Sequence, residues 1–285
     1  MKNGPSGIGS HRSNAGASRR SSGKLTSHWG ARLIRNPILR VLSSIGAHQV
    51  RALLMGGQAC VFYGAAEFSR DTDLAILSTS ANLAKLGKAL NELQAEVIAV
   101  PPFELKYLRK GHAIHFRCHH PEAAGMRVDV MTKMRGVDSF AKLWSRRTTM
   151  SIDEDMTCEL MSLPELVQAK KTQRDRDWPM LRRLVEVSYF ANREHPNAQR
   201  IRFWFLELRT AELLIELAAR HGRLPTRLIR NRPLLKLARP GNESFLTEAL
   251  LEEERLEREV ERQYWLPLRA ELESLRRVRT SRAPD

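Results

Sequence analysis

The sequence predicts an α/β protein: a mixed sheet with flanking helices, followed by a C-terminal helical region. Short apolar runs alternate with amphipathic segments between residues 37 and 132, and glycine and proline pairs separate them. From residue 162 onward, nearly every segment has apolar residues at helical spacing. The predicted boundaries are a basic tail over 1–35, an α/β domain over 36–161 and a helical region over 162–285.

The first elements follow from periodicity and from turn residues. Apolar residues at helical spacing predict helices over 37–48, 58–67 and 80–96, the last with Ser80 as its N-cap. Short apolar runs predict strands over 50–55, 72–77 and 97–100. Gly56-Gly57 ends the first of these strands, and Pro101-Pro102 ends the last. This alternation is typical of helices packed on a sheet.

The next elements complete the sheet and open the helical region. Two strands are predicted over 112–118 and 127–132, joined by a polar loop. A Ser162-x-x-Glu165 capping box then opens a helix over 162–173. The following helix carries Pro179 early in its first turn, where a missing N–H is tolerated.

Composition limits the class of protein. The chain has 285 residues, 42% of them apolar and 28% charged, which is enough for a real core. No run approaches 18 apolar residues and no leader pattern is present, so we expect no membrane span. Three widely spaced cysteines argue against a disulfide framework and favour a reducing, cytoplasmic location.

The net charge of +15 is concentrated near the start of the chain. Nine Lys and Arg residues precede the first acidic residue, Glu67. Residues 1–35 are rich in Gly, Ser, Asn and Arg without hydrophobic period, which predicts a disordered tail. Three interpretations remain open: an extension with no role, an electrostatic arm for RNA or DNA, and an organelle transit peptide.

Three aspartates are the main chemical signal. Asp71 and Asp73 are two residues apart at a strand entry, so their carboxylates share one face, and Asp129 lies between valines on a later strand. Three carboxylates on one sheet repel unless divalent cations neutralise them, and oxygen ligands suit Mg²⁺. Backbone N–H groups at Gly56-Gly57 suit a phosphate. The alternatives are a turn cap at Asp71, an exposed edge position for Asp73 and a plain glycine turn.

The order Gly-Gly, Asp-x-Asp on a strand and a lone Asp on a later strand resembles the nucleotidyltransferase fold of DNA polymerase beta-like enzymes. The stretch over 162–184 resembles the segment after the core in minimal and abortive-infection-type nucleotidyltransferases. The resemblance covers about 45–190. By it, the positions aligned with the family's Lys and Arg-x-Lys-Asp are Lys170 or Lys171, Arg174, Arg176 and Asp177.

The resemblance implies a two-metal transfer of a nucleoside monophosphate. Asp71, Asp73 and Asp129 would hold two Mg²⁺ ions, and Asp129 would help to take a proton from the attacking hydroxyl. The substrate would be a nucleoside triphosphate such as ATP, with pyrophosphate leaving. The nucleotide would contact the residues of the glycine turn and of the later basic stretch: Gly56, Gly57, Ser69, Lys170, Lys171 and Arg174.

The sequence departs from the family pattern near the nucleotide. Relatives often have Ser where Gly57 stands, Arg where Glu67 stands and Thr where Ser69 stands. These changes bear on nucleotide affinity more than on metal binding. The basic residues after Gln168 also fit a solvated helix face, and Asp177 fits an N-cap for the helix entered through Pro179.

A histidine-rich stretch, "GHAIHFRCHH" over 111–120, is a second candidate site. On a strand, His112 and Cys118 share one face and His115 points to the other, so the strand alone forms no tetrahedral zinc set. A histidine facing the cleft would contact a base or ribose.

Three function classes stay open. The first is a Mg²⁺-dependent nucleotidyltransferase with an unidentified acceptor, which is protein, RNA or a small molecule. The second is a degenerate, antitoxin-like nucleotide binder that acts as the partner of another protein. The third is a nucleic-acid-binding protein that uses its basic tail.

Overall fold

The computed structural model describes residues 36–152, 156–222 and 224–281, together with Met1. It confirms the predicted class, because a seven-stranded mixed sheet with flanking helices is followed by a C-terminal helical region. The prediction of a disordered tail falls on residues 1–35 and, apart from Met1, lies outside the described residues.

The elements alternate until residue 160 and are helical afterwards. The strands are β1 (Ala52–Met55), β2 (Asp71–Ile76), β3 (Glu96–Val97), β4 (Ile114–Arg117), β5 (Arg127–Met131), β6 (Thr148–Ser151) and β7 (Thr157–Leu160). The helices beside the sheet are α1 (Asn36–Ala47), α2 (Gly56–Phe62), α3 (Ser80–Glu92), α4 (Leu105–Lys110) and α5 (Phe140–Arg146). The later helices are α6 (Leu163–Ala169), α7 (Asp177–Asn192), α8 (Ala198–Glu207), α9 (Ala211–His221), α10 (Thr226–Asn231) and α11 (Glu243–Thr280).

The sheet order is β3-β4-β5-β2-β1-β7-β6. Strand β2 lies at its centre, antiparallel to β1 and parallel to β5. Strand β7 joins the other side of β1 in parallel, and β4 pairs antiparallel with β5. The parallel pairing of β2 with β5 is the feature that positions the candidate site.

Alternation along the central strands matches the sequence pattern. Val128 and Val130 of β5 are fully buried. The residues that alternate with them are only partly buried: Arg127, Asp129 and Met131. Strand β2 alternates in the same way at its start, with Thr72 and Leu74 buried. One face of these strands therefore enters the core and the other carries the polar side chains.

Several predicted boundaries differ from the structure. The predicted cap Ser80 is wrong: Thr79 is the N-cap of α3, and its side chain accepts from the Asn82 N–H at 3.2 Å. The predicted capping box is also wrong, because the Ser162 side chain forms no cap bond and Glu165 instead contacts Arg146 at 2.6 Å. A tertiary ion pair has replaced the local hydrogen bond.

Other elements are shorter than predicted or unpredicted. The strand predicted over 97–100 is only the two-residue edge strand β3, and the helix predicted over 162–173 ends at Ala169. Helix α2 begins at Gly56, two residues before the predicted start. Helices α4 and α5 and strands β6 and β7 were not predicted, and β7 joins the central strands by pairing with the distant β1.

The long helix α11 crosses from the helical region to the sheet. It spans 38 residues. Arg135, which follows β5, contacts Glu257 at 2.7 Å and Glu261 at 2.6 Å on this helix, and His112 contacts Glu271 at 2.9 Å. These side-chain contacts hold α11 against the α/β part of the chain. No helix among the described residues has both the length and the apolar character that a membrane crossing requires.

Candidate active site

The three predicted carboxylates lie on one face of the sheet. The register of the parallel pair places Asp73 directly beside Asp129, and Asp71 beside Arg127. Residues opposite each other on neighbouring strands point to the same side, and Asp71 and Asp73 share a face because side chains alternate along a strand. The carboxylates therefore converge on one side of β2 and β5, as the sequence pattern predicted.

The glycine turn packs directly on Asp73. Gly56 has φ +66°, and a Cβ added there would stand 1.8 Å from Asp73 Oδ2. The backbone of Gly57 donates a hydrogen bond to the same carboxylate. Only glycine at position 56 permits both the left-handed backbone and this close approach. A backbone donor that the sequence predicted for a phosphate thus bonds Asp73.

Ser69 lies on the other side of the turn. Its Oγ would stand 2.8 Å from a Cβ added at Gly57, and it donates to the Asp71 backbone carbonyl at 3.0 Å. A side chain at position 57 would collide with this hydroxyl. The structure thus brings Ser69, Gly57 and Asp71 together at the start of β2.

Burial changes the ionisation of Asp73. Removal from water and, second to it, the neighbouring Asp129 charge raise the pKa of Asp73 from 3.8 to about 6, and the Lys170 cation opposes this rise. This pattern is typical of a carboxylate that a neighbouring like charge penalises. It indicates a site where an added cation would be favourable.

Asp129 has partners that the sequence analysis missed. Arg127 Nε donates to its Oδ1 at 2.8 Å, and His115 Nδ1 lies 2.8 Å from the same oxygen. Burial acts to raise the pKa of Asp129, but the bonds from His115 and Arg127 hold it below its ordinary value. Arg127 was detectable, because it shares a face with Asp129 two residues away. His115 was not, since it requires the register of β4 against β5.

The carboxylate oxygens of Asp71, Asp73 and Asp129 are the kind of ligand that Mg²⁺ prefers. In the described structure, however, these side chains are not arranged as a complete metal-binding group. No group of three or more His, Cys, Asp or Glu side chains in the described ranges is placed to hold a metal. Both contacts of Asp129 use Oδ1, so its Oδ2 has no partner among the described residues. Burial and the Asp129 charge penalise the charged form of Asp73, and an added cation would relieve that penalty. Asp73 and Asp129 are therefore two carboxylates able to accept a hard cation.

Lys170 links the carboxylates to a second buried cluster. Its cation lies within electrostatic range of Asp73, and its Nζ contacts Asp177 Oδ1 at 3.1 Å. Thr172 and Arg174 donate to Asp177 Oδ2 at 2.6 and 2.7 Å. The expected role of Asp177 as a helix cap is therefore wrong, because its side chain makes no cap bond and α7 begins at Asp177 itself.

The other predicted basic residues do not reach the carboxylates. Lys171 is buried and contacts Glu207 of α8 at 2.9 Å, away from the strands. Arg174 is 53% exposed and contacts Asp177, and Arg176 is exposed. Of the alternatives Lys170 and Lys171, the structure brings only Lys170 near Asp73.

The histidine-rich stretch is dispersed. His112 is buried and contacts Glu271 of α11, His115 contacts Asp129, and Cys118 is a buried thiol in the core. His119 lies 3.7 Å from Glu96 at the sheet edge. Only His115 belongs to the carboxylate face.

Gly56→Ala is expected to destabilise the chain by at least about 2 kcal/mol, because it combines a left-handed backbone with a collision against Asp73. The matched control is Gly87→Ala inside α3, where an added Cβ meets nothing within 4 Å. That change should stabilise by up to about 1 kcal/mol. Urea unfolding of both variants measures the difference, and equal stabilities would show that the turn tolerates a side chain.

No protein-family model matches this sequence, and no curated protein matches it.

Proposed function

We propose that this chain is a Mg²⁺-dependent nucleotidyltransferase that moves a nucleoside monophosphate from a triphosphate to an acceptor. The observation that supports it best is the pairing of β2 with β5, which sets Asp73 beside Asp129 with Asp71 on the same face. The turn at Gly56 and Gly57 lies against these carboxylates. The resemblance to the minimal and abortive-infection-type enzymes points the same way.

In this proposal, Asp71, Asp73 and Asp129 hold the metal. Bound Mg²⁺ would neutralise the triphosphate and make the acceptor hydroxyl more acidic. Asp129 Oδ2, which lacks a partner among the described residues, would accept the hydroxyl proton. The acceptor oxygen would then bond to the α-phosphorus as the bond to the β-phosphate oxygen breaks, and pyrophosphate would leave.

Lys170 and the glycine turn would hold the nucleotide phosphates. Lys170 is only 12% exposed, and its charge already acts on Asp73. A desolvated cation is worth more to a phosphate than an exposed one. The Ser69 hydroxyl beside Gly57 would add a donor by turning its proton from the Asp71 carbonyl to the phosphate.

A second candidate is a nucleotide binder without transfer activity, such as the antitoxin-like partner of another protein. The observation in its favour is that Arg127 and His115 both bond Asp129. Arg127 also acts electrostatically on Asp71 and Asp73, so it supplies a built-in counter-cation. If Arg127 replaces the metal, Arg127→Gln would increase the affinity for Mg²⁺ rather than leave it unchanged.

The test is transfer of radioactive label. The full chain is incubated with Mg²⁺ and each of the four α-labelled triphosphates, in the presence of total RNA, a protein extract or small hydroxylated acceptors. Label is expected on one acceptor class, and Asp129→Asn should abolish it while Asp175→Asn, on a side chain that is 93% exposed, should not. Nucleotide binding without label under any condition would favour the second candidate.

A further inference from the structure

The segment over 217–242 is strongly basic. It contains no Asp or Glu and seven cationic residues: Arg220, Arg223, Arg227, Arg230, Arg232, Lys236 and Arg239. It includes α10 and a 3₁₀ helix, Pro233–Leu237. Because α10 and this 3₁₀ helix belong to the helical region, their charge is separate from that of the tail over 1–35.

Four of these cations form no ion pair with any residue that the structure describes. Arg232 is buried against Glu253, and Arg220 contacts Glu216. By contrast, within the described ranges four exposed side chains form neither an ion pair nor a side-chain hydrogen bond: Arg227, Arg230, Lys236 and Arg239. We call these four residues the α10 basic surface.

Two of the four side chains line one depression, and the other two belong to α10, which contributes to its wall. A cavity of about 420 Å³ is lined by Thr226 and Ile229 of α10 together with Lys236 and Arg239. Arg230 lies four residues after Thr226 on α10, so it shares the face that Thr226 presents to this cavity. Arg227 lies three residues before Arg230 and is adjacent on the same helix. The lining contains no acidic residue.

This arrangement suits an extended polyanion. Four exposed cations that form no ion pair within the described ranges would each gain from contact with a phosphate and release its counterions. A membrane surface fits less well, because interfacial binding also needs exposed apolar side chains to insert. None of the large exposed apolar side chains among the described residues lies within 217–242.

We propose that the α10 basic surface binds the sugar-phosphate backbone of a nucleic acid. Binding there is independent of the carboxylates and of the cations in residues 1–35. This proposal does not require the chain to be an enzyme, so it stands or falls separately from the proposed function.

The test is the salt dependence of binding to a labelled 20-nucleotide single-stranded RNA, measured with the full chain. The test variant carries four substitutions: Arg227→Gln, Arg230→Gln, Lys236→Gln and Arg239→Gln. Its plot of log affinity against log salt should be less steep than that of the parent by about 3, since each single-strand phosphate contact contributes about 0.7. Affinity near 0.1 M salt should fall on the order of 100-fold. Because all four side chains are exposed, the melting temperature should stay close to that of the parent.

A matched control removes the same charge elsewhere. Arg182→Gln, Arg183→Gln, Arg276→Gln, Arg277→Gln changes four exposed arginines of α7 and α11, and it should retain most of the affinity. A second control changes Arg12, Arg19, Arg20 and Lys24 of the tail to Gln in the full chain.

Three outcomes would overturn the proposal. An equal loss in the α7 and α11 control would show that only net charge matters. A loss confined to the tail variant would assign binding to the tail. If the full chain binds phosphatidylserine vesicles more tightly than RNA, and the four substitutions abolish that binding, the α10 basic surface would be assigned to a membrane.

Discussion

Asp73→Asn is expected to reduce nucleotidyl transfer by orders of magnitude and, in the metal-free protein, to increase stability. Asparagine keeps the shape of the side chain beside Gly56 but removes one of the charges that would hold Mg²⁺. It also removes a buried charge that repels Asp129. Catalysis and stability should therefore change in opposite directions.

The stability part has a defined pH dependence. The folded-state pKa of Asp73, about 6, lies above its ordinary value of 3.8, so the folded chain holds this proton to higher pH than the unfolded chain does. The wild type consequently loses stability as pH rises from about 4 to about 6, by at most about 3 kcal/mol. Asp73→Asn lacks this loss.

The advantage of Asp73→Asn over the wild type should therefore be greater at pH 7.5 than at pH 5. Thermal unfolding in EDTA at the two pH values measures it. Asp175→Asn is the control, since that carboxylate is exposed and should show no such dependence. A variant that is less stable than the wild type at pH 7.5 would assign Asp73 a structural role.

Asp177→Ser is expected to destabilise the chain by about 3–5 kcal/mol. Serine is as good a helix cap as aspartate, so a capping role would leave stability nearly unchanged. Asp177 is instead buried against Lys170, and its removal takes the hydrogen-bonded carboxylate away from a cation that is only 12% exposed. Urea unfolding distinguishes the two roles.

The matched control is Asn197→Ser at the N-cap of α8, where the side chain accepts from the Arg200 N–H at 2.8 Å. This change should cost only a few tenths of a kcal/mol. Burial acts to raise the pKa of Asp177, but Lys170 and the bonds from Thr172 and Arg174 hold it below its ordinary value. The contribution of Asp177 should therefore be present above about pH 4 and lost as pH falls below it. A similar, small cost for both serine variants would contradict the ion-cluster role.

The central part of the fold follows from short-range patterns. Val128 and Val130 around Asp129, and the two-residue spacing of Asp71 and Asp73, were enough to place three carboxylates on sheet faces. The pairing of β2 with β5 then put these faces together. Gly56 was predictable as a turn, but its contact with Asp73 depends on how α2 packs against β2.

The errors arise where tertiary contacts override local patterns. Glu165 fits a capping box in sequence, yet Arg146 offers it an ion pair. Asp177 fits a cap, yet a lysine seven residues earlier holds it in a buried cluster. His115 meets Asp129 only through the register of two antiparallel strands. None of these partners is visible from the local period of the sequence.

The measurement that tests the central claim most directly is Mg²⁺-dependent stabilisation by nucleoside triphosphates, since it does not require the acceptor to be known. At about 100 times the dissociation constant, binding adds about 2.7 kcal/mol to the folded state. We predict that one or more triphosphates raise the melting temperature with Mg²⁺ but not with EDTA. The rise should be lost in Asp73→Asn and Asp129→Asn and kept in Asp175→Asn. Stabilisation that is equal in EDTA, equal in all three variants, or absent with every triphosphate would contradict a metal-nucleotide site at these carboxylates.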